Sequence, residues 1–264
     1  MKGKFVLVQM ASVPEPEENL KKISAFVKEA VETHRPDLLM FPEYCMSVVQ
    51  PGMIRPAETL DGPFVSGLRE LAKTYGVWIV FGMSEQTADS GDSRFYNTTV
   101  VLDASGEIVT TYRKTHLYDA FHHRESDATK PGDRLFEPIE TPFGKLGLMV
   151  CYEVRFPEIA RAQKERGAEI ILMPTAWAAG KLKSQHYNTL IRARAIENTV
   201  FILACDQCHL GAIGESMAVD PMGTALAAAG GEETLVPVQI DTAQIEAVSQ
   251  ILPLYQNRRT ELYP

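Results

Sequence analysis

Apolar runs of strand length alternate with amphipathic stretches of helical period along the 264 residues. Residues 1–10 have a basic start and a short apolar run with no small-residue cleavage site after it, so they read as a first strand and not as a signal peptide. Leu20, Ile23, Phe26, Val27, Ala30 and Val31 then recur at helical spacing, with Lys and Glu between them. An apolar strand at 37–42 ends at Glu43. A helix with Phe64, Leu68, Leu71 and Ala72 on one face precedes a strand at 77–81. A hairpin, 98–102 and 107–112 about a turn at 103–106, closes this half. The second half repeats the order. A strand at 145–150 leads to a helix near 157–166, and a strand at 169–173 leads to a helix at 187–198. A strand at 200–204, a hairpin turning at 220–223 and a strand near 234–240 follow.

Two halves of this kind predict an α/β protein with two mixed sheets packed face to face and helices outside, a four-layer αββα sandwich. No low-complexity linker separates the halves, so they are expected to share one core in a single domain, 1–264. The longest stretch without periodicity, 118–133, is expected to be a functional loop. The polar tail after Ile251 carries a Leu262-Tyr263 anchor and is expected to pack on a neighbouring surface.

Composition narrows the function. An apolar content of 45% supports a sizeable core, and a formal charge of −8 argues against nucleic-acid or anionic-membrane partners. No stretch approaches the roughly 20 apolar residues of a membrane span. Four cysteines do not make a disulfide scaffold, so a reducing cytoplasm is the expected compartment.

Three strand ends carry matching chemistry. The run 146–150 stops at Cys151, and Pro157 suits the first turn of a helix, so the thiol sits at a strand-to-helix turn near N–H groups able to stabilise a thiolate and a neighbouring oxyanion. Strand 37–42 runs into Glu43, and the β-branched strand from Ile108 runs into Lys114. If they converge on one sheet edge, the carboxylate takes the thiol proton, the ammonium stabilises developing negative charge, and the sulfur attacks a carbonyl carbon.

These segments, Phe41-Pro42-Glu43, Arg113-Lys114-Thr115-His116-Leu117 and Cys151-Tyr152-Glu153-Val154-Arg155-Phe156-Pro157-Glu158, resemble in order the three signatures of the nitrilase (carbon–nitrogen hydrolase) superfamily. Glu125-Ser126 before Pro131-Gly132-Asp133, the run 192–198 and the closing 259–263 extend the resemblance over nearly the whole chain. It implies the αββα fold, no cofactor, and hydrolysis of a small linear carboxamide through a thioester on Cys151. Glu43 would be the general base and Lys114 the electrophilic stabiliser. Tyr152 would supply an oxyanion N–H, and Glu125 would bond the lysine and orient the substrate. The signature after Cys151 looks most like the omega-amidase and deaminated-glutathione-amidase branch, with Glu153 in place of the more usual aspartate. An N-carbamoyl amide hydrolase is the nearest alternative; a Cys-His thiol hydrolase using His116 and a catalytically silent binding protein are more distant ones. Superfamily members pair their sandwiches, so a homodimer or larger homo-oligomer is expected.

Specificity is expected from the loop 118–133 and from 175–180, including Thr175 and Trp177. His122, His123, Arg124 and Lys130 flank Glu125, and one of them is expected to hold a carboxylate on the substrate. Arg155 and Glu158 are expected to pair with opposite charges and support the turn at Cys151, and Arg194 with Glu197 to form a helix ion pair. Cys205 and Cys208 have C-x-x-C spacing but lack a second ligand pair, and with His209 beside them they are not expected to bind metal.

Overall fold

The computed structural model describes residues 1–49, 52–88, 91–209 and 211–262. The first half comprises β1 (Lys2–Gln9), α1 (Pro16–His34), β2 (Leu38–Met40), α2 (Pro63–Tyr75), β3 (Trp78–Glu85), β4 (Phe95–Leu102) and β5 (Ile108–Arg113). Short strands β6 (Asp119–Ala120), β7 (His123–Arg124) and β8 (Thr129–Lys130) follow. The second half comprises β9 (Ile139–Thr141), β10 (Gly144–Leu148), α3 (Pro157–Glu165), β11 (Ile170–Thr175), α4 (Lys183–Asn198), β12 (Phe201–Asp206), β13 (Met217–Val219) and β14 (Ala225–Ala228). β15 (Thr234–Asp241) and α5 (Ala243–Ile251) end the series.

Among the described residues the first large sheet runs β15-β1-β2-β3-β4-β5, with β8 added beside β4, and the second runs β14-β13-β12-β11-β10-β9. The two are topological copies. β1, β2 and β3 are parallel, as are β10, β11 and β12, and each set is extended by an antiparallel pair at one side and a single antiparallel strand at the other. This is the αββα sandwich of two similar halves that the alternating pattern implies.

Period-2 alternation distributes β1 between two cores. Phe5 and Leu7 face the second sheet and pack in one cluster with Met40, Leu146, Leu172 and Leu203. Val6 and Val8 face outward, into a cluster with Ile23 and Val27 of α1 and Val65 and Leu68 of α2. The helices cover the outer faces because their apolar stripes have nowhere else to go. Pro16, Pro63 and Pro157 each open a helix, where a missing N–H costs nothing.

Several elements differ from the sequence expectation. α4 starts at Lys183, before the periodic residues, because Lys183 to His186 carry no apolar repeat. α5 is not signalled: its one buried residue, Ile245, leaves no stripe to read. The loop 118–133 folds into a hairpin, a 3-10 turn at Glu125–Asp127 and a strand. Part of the tail docks on its own chain, with Arg258 bonded to Glu165 of α3 and Tyr255 lying 5.4 Å from the Arg161 guanidinium. Leu262 is exposed, and Tyr263 of the expected anchor lies outside the described residues. No helix among the described residues is long and apolar enough to cross a membrane.

Candidate active site

The parallel strands of both sheets deliver their carboxyl ends to one place, where ligands gather in open α/β sheets. Glu43 lies three residues past β2, Lys114 one past β5 and Cys151 three past β10, while Thr175 and Asp206 end β11 and β12. The sheets are stitched together here. Gln207 Nε2 donates to the Glu43 carbonyl (3.0 Å) and to Ser12 Oγ (2.9 Å), and the Cys205 thiol lies 3.3 Å from the Val8 carbonyl.

Gly82 of β3 lets the Glu43 segment approach. A Cβ there would lie 2.8 Å from Tyr44 N and 2.9 Å from Glu43 Cα. Glu43 is buried, and its Oε1 accepts from Lys114 Nζ (2.9 Å) and Asn97 Nδ2 (2.7 Å). Its Oε2 accepts from the Ala176 N–H (2.8 Å). Lys114 Nζ also donates to Glu125 Oε2 (2.9 Å), which takes the Tyr118 N–H as well (2.6 Å). The other Glu125 oxygen accepts from Tyr44 Oη (2.9 Å) and Asn97 Nδ2 (3.1 Å).

Burial opposes the Lys114 charge, but the Glu125 and Glu43 carboxylates outweigh it and hold the ammonium pKa well above its ordinary value. Burial likewise opposes ionised Glu125, yet Lys114 and the Tyr118 N–H bring its pKa below the usual carboxylate value. The site therefore presents one ammonium clamped between two carboxylates.

Cys151 begins a 3-10 turn, Cys151–Arg155, with φ of 48°, a left-handed conformation that a non-glycine residue adopts at a cost of about 1–3 kcal/mol. Strain of this kind is concentrated at functional turns, and here it puts the side chain at the end of the sheet. The thiol is not a resting thiolate. Burial pushes its pKa well up, Glu43 adds to that, and Lys114 opposes it without prevailing. The thiol lies next to the Thr175 hydroxyl and the Ala176 backbone N–H. α3 begins only at Pro157, so the N–H groups beside the sulfur belong to the 3-10 turn. The Tyr152 N–H, in its first turn, has no acceptor within the segment.

Glu153 braces this turn. Wholly buried, it accepts from the Val150 N–H (2.7 Å) on one oxygen. On the other it accepts from Tyr112 Oη (2.8 Å), the Thr115 N–H (2.8 Å) and Thr115 Oγ1 (2.7 Å). It thus ties the Cys151 turn to the strand end that bears Lys114. The expected support from Arg155 and Glu158 is replaced by this carboxylate. Glu158 is exposed, and Arg155 has no carboxylate partner among the described residues but lies 4.8 Å from the Trp177 ring centroid. Arg194 does pair with Glu197 (2.9 Å), and its Nε also holds the Val154 carbonyl.

Sequence reasoning did not single out Asn97, whose one amide nitrogen bridges both carboxylates. An Asn in a β-branched and aromatic strand is the signal that was there to be read. The residues expected on the substrate side are held in place by hydrogen bonds and ring contacts. Trp177 Nε1 is bound to the Lys183 carbonyl (3.0 Å) and its N–H to Asp206 (2.8 Å), while the Tyr152 ring packs edge-on against Tyr118 at 5.1 Å.

His122 and His123 are exposed, Arg124 pairs with Asp127 in solvent (3.5 Å), and Lys130 faces Asp92 (3.7 Å). His116 Nδ1 is bonded to Thr115 Oγ1 (2.8 Å) and its ring lies tilted against Phe156, with centroids 4.3 Å apart. Cys205 is wholly buried between the sheets, and burial raises the Cys208 thiol to about 11, so neither is a thiolate. No three metal-ligating side chains cluster among the described residues.

Known proteins share the sequence pattern and the fold. The sequence pattern of the carbon-nitrogen hydrolase family matches residues 6–250. Deaminated glutathione amidase of Mus musculus is 34% identical over 97% of this chain and 83% of its own length. The structure of a carbon-nitrogen hydrolase from Helicobacter pylori superposes with a TM-score of 0.88 at 25% identity, covering 99% of this chain and 97% of that one. A mutant amidase from Nesterenkonia sp., with acrylamide added to its active-site cysteine, superposes with a TM-score of 0.82 at 27% identity, covering 99% and 98%.

Proposed function

The chain belongs to the carbon–nitrogen hydrolase family and is a hydrolase acting on amides; from that premise we propose that it hydrolyses a monoamide of a small carboxylic acid through a thioester on Cys151, without a cofactor. The observation that carries this reading is the buried Glu43–Lys114–Glu125 cluster beside the Cys151 thiol, whose pKa burial raises, in a left-handed turn. A thiol held protonated needs a base at the moment of attack, and Glu43 is the carboxylate that bears on it.

In the first half-reaction Glu43 takes the Cys151 proton as sulfur bonds to the carbonyl carbon. The resulting oxyanion is held by the Lys114 ammonium and the Tyr152 N–H. The C–N bond then breaks, nitrogen leaves as ammonia with the proton from Glu43, and a thioester remains. In the second half-reaction Glu43 takes a proton from water, the hydroxide adds to the thioester, and the C–S bond breaks as that proton returns to sulfur. Glu125 acts on Lys114, keeping it charged and aimed. Thr175, Trp177 and Tyr152 form the substrate wall. On this reading 1–264 works as one hydrolase domain, supported by the core cluster to which both sheets contribute. We also propose that the chain acts as a homodimer or larger homo-oligomer, checked by light scattering at micromolar concentration.

The test is ammonia release from a panel of monoamides, N-carbamoyl amides and nitriles, with intact mass measured on trapped protein. Cys151→Ala should abolish turnover. Glu43→Gln should lower kcat by roughly 10²–10⁴ and Lys114→Ala by roughly 10²–10³, with acyl mass confined to Cys151. Acyl mass on Cys45, Cys205 or Cys208, or release from the carbamoyl amides alone, would refute it.

A further inference from the structure

The second buried ammonium of the region has no part in that chemistry. Lys183, first residue of α4, is 7% exposed, and its Nζ donates to Tyr118 Oη at 2.8 Å. Among the described residues Tyr118 is its one hydrogen-bond acceptor, and no carboxylate lies within ion-pair distance. Lys114, 2% exposed, has two carboxylates. An ammonium has three N–H donors, and a buried charge without a counter-ion is expensive to keep. Lys183 is therefore short of an anion.

Its surroundings place it on the wall of the active site. Tyr118, which bonds Nζ through its hydroxyl, donates its backbone N–H to Glu125 Oε2 and packs its ring against Tyr152, the residue after Cys151. The Lys183 carbonyl holds the Trp177 indole, one residue beyond the Ala176 N–H that binds Glu43. One residue, Tyr118, thus connects Lys183 Nζ to Glu125.

The Phe121 ring lies over the ammonium at 3.8 Å. Phe121 and His122 form the tip of the β6–β7 hairpin with φ of 53° and 64°, a two-residue turn that ordinarily takes Asn-Gly. Two left-handed non-glycine residues hold a 65% exposed aromatic ring against a buried cation. That is a cover over a charge rather than part of a core.

We propose that Lys183 Nζ and Tyr118 Oη form a subsite for a carboxylate at the end of the substrate remote from the scissile amide. The proposal rests on the amidase reading above and assigns its acid preference to a residue outside the cationic loop. A carboxylate entering there replaces the Phe121 ring face as the partner of the ammonium, and its position fixes the distance between acid and amide.

Three amides of matched length separate the possibilities: succinamate, the uncharged levulinamide and the cationic 4-aminobutanamide. Wild-type kcat/KM should favour the acid over the neutral amide by about tenfold to a hundredfold. Lys183→Met should bring that ratio close to one, through KM more than kcat, and Lys183→Arg should retain it. Lys183→Glu should shift preference toward the amine. A residue that only braces the wall would lower all three substrates together. Acid preference that survives Lys183→Met, or a wild-type enzyme that hydrolyses all three amides alike, overturns the subsite and leaves the amidase standing. A wild-type enzyme that releases ammonia from no amide overturns the amidase reading itself.

Discussion

At the scale of single residues, Glu43, Lys114 and Cys151 were legible because each follows a strand end, apolar before Glu43 and Cys151 and β-branched before Lys114, and because the three segments resemble the family signatures in order. Asn97 and Glu153 were not, because what marks them is which atoms they meet. Asn97 shows the difference. Its amide nitrogen holds Glu43 and Glu125 side by side and helps lower the Glu125 pKa. Asn97→Ala should reduce kcat and move the acid limb of the kcat/KM profile to higher pH, since a carboxylate losing a donor binds its proton more tightly. A limb that stays in place while kcat falls would mean that Asn97 acts through folding alone.

Elements position these residues by backbone approach as much as by side-chain contact. β3 passes directly beneath the Glu43 turn, and Gly82 is the point of contact. Gly82→Ala should push that turn aside and cost about a hundredfold in kcat, the penalty of a displacement near 1 Å, while circular dichroism remains native. Wild-type activity in Gly82→Ala would show that the turn has room to move. The strands and long helices follow from hydrophobic period because each buries a stripe. Where burial is slight, period disappears: α5 and the first turn of α4 were invisible for that reason. The segment 118–133 was opaque for another. Its short strands are held by specific bonds, such as Ser126 to Asp119 and Tyr118 to Glu125, which leave no periodic trace.

For the whole molecule, buried charge couples the site to the stability of the sandwich. Burial opposes ionisation of Glu153 and Glu125, but hydrogen bonds and the Lys114 charge keep both below the usual value of 4.5. Their contribution is complete above that value and is lost as pH falls through the depressed ones. Lys114 is raised, so its contribution persists through neutral pH and disappears only far into the alkaline range. The fold should therefore weaken as pH falls below about 4.5. Glu153→Gln should cost roughly 1–3 kcal/mol at neutral pH, where a buried donor loses its acceptor, and should flatten the acid decline. Urea titrations of both proteins across that range check the point, and parallel curves would contradict it.

The protonated state of Cys151 bears on how the protein meets oxidants. Peroxides and alkylating agents attack sulfur as the anion, and exposed low-pKa thiols are the ones that sulfenylate first. On the proposed mechanism the anion would form only as Glu43 takes its proton, with the acyl group already in place. Cys151 would then be sheltered from indiscriminate electrophiles at rest. A covalent inhibitor must imitate the amide closely enough to summon the thiolate before it can capture it.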